Sequence, residues 1–177
     1  IERLEDLYNY AARLAVNAKN RQDAAKKKSF EWLCEDIRAK EEDKYNLLIA
    51  KIDTKDADKI NPNITGLIAM ELVKEFNRPT LVIKQTNYKD KLVYGGSGRN
   101  GNFYGLPNLM KFLNDSQLTE DVVGHNNAFG IFISEDNIDK LREYSNTHLK
   151  KEAFDKVYEV DYWFAPEEKL NKTMLMA

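Results

Sequence analysis

Apolar residues recur at helical intervals from the start of the chain, at Leu4, Leu7, Tyr8, Ala11, Leu14 and Ala15, with Glu2, Glu5, Asp6 and Arg13 on other faces. A second helical stretch, near residues 20–42, carries the stripe Phe30, Leu33 and Ile37. Neither glycine nor proline interrupts the first 43 residues. Its charge is segregated: Lys19, Arg21, Lys26, Lys27 and Lys28 precede Glu31, Glu35, Asp36, Glu41, Glu42 and Asp43. That segregation suits either a solvated connector or a basic patch that touches phosphate.

From Tyr45 the pattern changes. Residues 45–52 form a short apolar run that predicts a buried strand, and 53–63 read as a loop. Residues 64–76 have the spacing of a helix packed on a sheet, with Asn63 or Thr65 placed to cap it. Strands follow at 80–83 and 91–94, separated by a turn at 87–90. A short helix follows at 106–113, with Pro107 in its first turn. A strand at 129–134 leads into a helix at 135–149, with Ser134 as its cap and Asn137 at the third helical position. Val157, Val160, Tyr162 and Phe164 suggest a last strand. The class is α/β: a long N-terminal connector helix, then a mixed sheet of about five strands with flanking helices. The divisions are a helical arm at 1–43, an α/β domain at 44–165 and a tail at 166–177.

Composition narrows the picture little. The 42% hydrophobic content supports a core, and a net charge of −2 gives no global sign of nucleic-acid binding. The single cysteine, Cys34, rules out an internal disulfide, suits a reducing cytoplasm and sits in a packing pattern. No run of apolar residues approaches membrane-spanning length, and no signal peptide is visible. Ile1 opens directly onto a helical pattern, as a fragment of a longer protein would.

Two glycine-bearing stretches could carry chemistry. In 122–133, Gly124 and Gly130 allow close backbone approach and free His125 to face an anion; the same residues also suit a plain loop-to-strand junction. In 95–101, the glycines would expose backbone N–H groups at a strand end, beside the Ser97 hydroxyl and the Arg99 fork. A bulge or hairpin turn fits that stretch as well. Lys84, Lys89, Lys91 and Arg99 against Asp90 make the region locally basic. No Walker motif, dinucleotide fingerprint, zinc motif or serine-hydrolase elbow is present. The only histidines are His125 and His148, and His148 falls at a helix end where it faces solvent or caps carbonyls. The chain looks able to bind an anionic group and poorly equipped to cleave one.

Taken in order, the motifs resemble a known family. Val123-Gly-His-Asn-Asn-Ala-Phe-Gly130 resembles the Gly-Gly-His-x-x-Ala-Ala-Gly signature of the DHH-associated C-terminal domain. Gly96-Ser-Gly-Arg99 resembles the Gly-Ser-x-Arg segment that precedes it there. The helix at 64–72 with Asn77-Arg78-Pro79 is similar to the family's Arg-Pro strand entry, most closely in RecJ-like single-stranded-DNA exonucleases. Asn17, Asn20 and Arg21 resemble the start of the helix that joins the two domains.

The resemblance implies the substrate-binding half of a larger phosphodiesterase acting on single-stranded DNA, in repair or recombination. Its Mn or Mg ions would be held by an N-terminal DHH domain, and no metal by this chain, which lacks the Asp-His-His triplet. It implies phosphate contacts from Gly96, Ser97, Gly98, Arg99, Gly124, His125 and Asn126, with His125 also stabilising the transition state. Val123 and Phe129 depart from the signature by bulk. The chain stops before the oligonucleotide-binding fold of larger members, as a shorter, phage-encoded one would. Competing expectations are a phosphodiesterase for oligoribonucleotides or cyclic dinucleotides, a non-catalytic nucleic-acid or tRNA module, and a protein-interaction domain.

Overall fold

The computed structural model describes residues 2–101 and 103–154. Helix α1 (Glu2–Ala39) is unbroken, merging the two helical stretches expected from the sequence into one rod. No helix breaker lies within it, so nothing interrupts its hydrogen bonding. It ends at Glu41, whose left-handed backbone turns the chain. Residues 3–25 are exposed throughout; packing begins farther along, where Leu33, Cys34 and Ile37 are buried.

The sheet contains β1 (Leu48–Ile52), β2 (Thr80–Tyr88), β3 (Lys91–Arg99), β4 (Asp121–His125) and β5 (Ala128–Ile133) in the order β1-β2-β3-β5-β4. β1 and β2 are parallel, joined by helix α2 (Thr65–Phe76); every other pairing is antiparallel. Lys89 and Asp90 both have positive φ, so a two-residue turn matching the strand twist joins β2 to β3. Helices α3 (Leu109–Ser116) and α4 (Glu135–His148) complete the domain.

Two apolar layers sandwich the sheet. On one face Leu48, Ala50, Ile52 and Val82 meet Leu33, Ile37, Ile68 and Leu72 of α1 and α2. On the other, Ile49, Leu81, Ile83, Phe129, Ile131 and Ile133 meet Leu109, Leu113, Ile138 and Leu141 of α3 and α4. Each of the Val, Leu, Ile and Phe side chains among them contributes about 1.5–3 kcal/mol of burial free energy. The strict alternation of β5 points Phe129, Ile131 and Ile133 into the second layer, so Ala128, Gly130 and Phe132 face the first. There α2 lies over β2 and β3 but stops short of β4. Val123 is 60% exposed, and a Cβ at Gly130 would meet only two backbone oxygens, each 3.8 Å away. The β4–β5 end of this face is bare among the described residues.

Several expectations need correction. β1 starts at Leu48, and the expected loop at 53–63 holds two short 3-10 segments. β2 and β3 each run nine residues, because the hairpin twist carries pairing past the apolar runs at 80–83 and 91–94. Neither Asn63 nor Thr65 caps α2; Asn61 caps the preceding 3-10 turn, and the Thr65 hydroxyl bonds the carbonyl of Pro62. Helix α3 starts after Pro107 because Asn108 caps it, accepting from Lys111 N at 2.9 Å. Ser134 precedes α4 without a side-chain cap, and the amide of Asn137 instead donates to the carbonyl of Leu118. The short strand β4 falls inside a stretch that the sequence marks only as a glycine motif. The strand expected at 157–164 and the tail at 166–177 lie outside the described residues.

Arg142 on α4 is 8% exposed and grips Glu42 through Nε and Nη2, at 2.9 and 2.7 Å, while its Nη1 donates to Asp139. Burial pushes the Glu42 carboxyl above its usual range, against the pull of Arg142. Arg142→Met strands that carboxylate and lowers stability by about 3 kcal/mol in denaturant unfolding near neutral pH. A carboxyl whose pKa is raised on folding loses its penalty below its unfolded pKa, so the deficit shrinks as pH falls towards about 4.

Candidate functional site

The ladder sets the geometry. Thr80 pairs with Arg99, Arg99 with Ala128, and Ala128 with His125. Paired positions share a face, so Arg99 and His125 stand on the same side of the sheet with only the Ala128 methyl between them. Two strand spacings make about 9.5 Å between their backbones. The next rung carries Ser97, Gly130 and Val123, again mostly small. The bare end of the first face is therefore a shallow floor with a guanidinium on one side and an imidazole on the other.

Arg99 is half-buried against the first turn of α2, where a Cβ at Gly66 would overlap its guanidinium. Nη1 donates to the Gly98 carbonyl at 2.7 Å, and no carboxylate pairs with the guanidinium among the described residues. Burial draws its pKa below the guanidinium's ordinary value. The group stays charged nonetheless, so a partly desolvated cation waits without a counter-charge. Ser97 Oγ lies 2.9 Å from Thr65 Oγ1. Because Thr65 donates to the Pro62 carbonyl, Ser97 donates to Thr65, and it must release that bond to donate elsewhere.

His125 is exposed on the edge strand. Before it, Gly124 has φ +145°, and a Cβ there would come within 2.8 Å of the Ala128 carbonyl. Asn126 and Asn127 form the two-residue turn. Asn127 Oδ1 accepts from Asn100 Nδ2 at 3.0 Å and Leu109 N at 3.2 Å, and its amide donates to Pro107 O at 3.0 Å. The Asn126 carbonyl accepts from Met110 N at 2.9 Å. These bonds use the first free amides of α3 to anchor the hairpin. A concavity of about 510 Å³ opens here, lined by Met70, Asn100, Gly124, His125, Asn126, Asn127 and Ala128.

The structure thus brings Ser97, Arg99 and His125 onto one face, with exposed Asn126 at its rim. It corrects the picture for Gly96 and Gly98, which lie inside β3 with their backbone paired to both neighbours. A Cβ at Gly96 would overlap the Val82 carbonyl, and one at Gly98 the Phe129 ring, so these glycines serve packing and expose no N–H at a strand end. Thr65 and Gly66 shape the site from outside either glycine-bearing stretch, while Asn100 and Asn127 lie within them as supports rather than phosphate contacts. Cys34 is buried with its thiol pKa pushed up by desolvation, and His148 bonds the Tyr144 carbonyl from an exposed helix end. Among the described residues no group of three or more His, Cys, Asp or Glu side chains could hold a metal ion, and no helix is long and apolar enough to cross a membrane.

No protein-family model matches the chain. Over 118 residues it is 28% identical to YorK of Bacillus subtilis, assigned as an SPbeta prophage-derived single-strand DNA-specific exonuclease, and equally to its counterpart in Bacillus phage SPbeta. The alignment takes in 66% of this chain and 20% of each relative, so it spans about a fifth of the curated proteins it matches. Among solved structures, exonuclease RecJ bound to manganese aligns with 77% of this chain and 31% of its own, at 13% identity and a TM-score of 0.47. The curated relatives bear out the resemblance to single-stranded-DNA exonucleases that the motifs carry.

Gly66→Ala tests the seat of Arg99. The new methyl meets the end of a flexible side chain in a helix that favours alanine by about 1 kcal/mol, so thermal stability holds or rises slightly. The displaced guanidinium then loses its approach to the floor. In an NMR titration with inorganic phosphate, shifts at Ser97 and Arg99 seen in the parent should be weakened several-fold.

Proposed function

We propose that the chain is the substrate-binding, C-terminal part of a RecJ-like exonuclease that hydrolyses phosphodiester bonds of single-stranded DNA. In this reading residues 1–43 connect two domains, and 44–165 form the DHH-associated domain. The observation that carries it is the half-buried Arg99 guanidinium, without a carboxylate partner among the described residues, on the same rung as the exposed His125. A phosphate bridging the two would satisfy a cation already partly stripped of water, and pairing that is charge-assisted is stronger than between neutral groups.

In this reading manganese or magnesium is held by a DHH domain outside this chain. This chain's share of the chemistry is charge and position. Arg99 neutralises the phosphodiester and fixes its plane. Ser97, on leaving Thr65, donates to a phosphate oxygen. His125 supplies an N–H donor at the opposite rim, aimed where negative charge grows as the bond breaks. The exposed stripe Leu4, Leu7, Tyr8 and Leu14 on α1 suits docking of that same N-terminal domain. Such an enzyme of DNA metabolism would work in the cytoplasm.

Fluorescence anisotropy with oligothymidylate tests the reading. Arg99→Ala should weaken binding about tenfold and lower the salt slope by about one. His125→Ala should weaken it by a smaller factor, and the isolated chain with Mn²⁺ should leave the DNA intact. Affinity indifferent to both substitutions, or degradation by the chain alone, overturns it.

A further inference from the structure

Asn100 directly follows Arg99, is only 5% exposed and lines the concavity beside His125. Its amide nitrogen donates to the Leu106 carbonyl at 2.7 Å and to Asn127 Oδ1 at 3.0 Å. Asn127 is itself fixed by donation from Leu109 N and to Pro107 O, so neither carboxamide can be turned end for end. Asn100 Oδ1 is left buried with no partner among the described residues, and it is the only such side-chain atom among them. Buried acceptors are nearly always paired, so this one awaits a donor.

A phosphodiester cannot be that donor, since its oxygens only accept. Arg99, Ser97 and His125 supply donors to the phosphate; Asn100, which follows Arg99 in the chain and shares the lining of the concavity with His125, offers the opposite polarity. We infer that Asn100 Oδ1 takes a hydrogen bond from an N–H or O–H of the nucleoside attached to the phosphate that Arg99 and His125 hold. The inference rests on the phosphate reading above and adds to it a residue that discriminates among nucleosides. The donor is either a base N–H or a ribose hydroxyl, and the two have different consequences: the first is indifferent to the sugar, the second favours RNA.

Ligand pairs that differ by one donor test it on the unaltered chain. Oligothymidylate is compared with an equal-length oligomer of N3-methylthymidine, and oligouridylate with its 2′-O-methyl form. The donor-bearing member of one pair should bind about five- to tenfold more tightly. A gap in the first pair identifies the base, a gap in the second the ribose. Asn100→Leu should close that gap while Arg99→Ala weakens every ligand alike. Should the members of both pairs bind equally while Arg99→Ala still weakens them all, Oδ1 serves a water and the inference falls alone. Should Arg99→Ala weaken none, the phosphate reading falls and takes the inference with it.

Discussion

The site depends on a strand through the middle of the sheet whose second half, around Gly95, Gly96 and Gly98, carries almost no bulk. Gly96 passes so close to β2 that a methyl would strike the Val82 carbonyl, and Gly98 lies under the Phe129 ring. Because β3 gives up its own bulk, β5 can sit against it with Phe129 filling the second layer, and β4 can follow. Only with both strands in register does Ala128 fall between Arg99 and His125. Any larger residue at these glycines would part the strands and separate the two groups that the floor brings together.

That dependence explains what could be read from the sequence and what could not. Helical and strand periods located α2, α4 and the start of each long strand, because they reflect burial, which is local in pattern. In the glycine segment at 95–101 the local pattern suggests a turn or strand end, while the glycines answer to contacts with residues 82 and 129, which no local window contains. β4 is hard to see in the sequence since Gly124 and the exposed Val123 and His125 leave it no apolar alternation. The convergence of Arg99 and His125 followed from motif order. The supports outside the motifs did not: Thr65 and Gly66 act across more than 30 residues, through a single bond or through the absence of a side chain.

Polar side chains divide the labour in the site by what they leave unpaired. Asn127 spends its carboxamide holding the hairpin to α3, and Thr65 spends its hydroxyl on Pro62 and Ser97. Among the described residues, Arg99 keeps its charge unmatched and Asn100 keeps one oxygen unmatched. Rigid groups around a few unsatisfied ones give a surface whose own folding holds binding groups ready, at a cost in stability that the two apolar layers can carry.

The unbroken α1 has a mechanical side. Residues 3–25 extend clear of the apolar layers as a single rod, roughly 35 Å long at 1.5 Å per residue. A tilt of about 5° where Leu33 and Ile37 seat on α2, about 45 Å from the far end, would sweep that end through about 4 Å. Since α2 also seats Arg99, a small shift of that one helix would move both the anion floor and the tip of the rod. Whatever leans on the rod gains leverage over the grip on the phosphate.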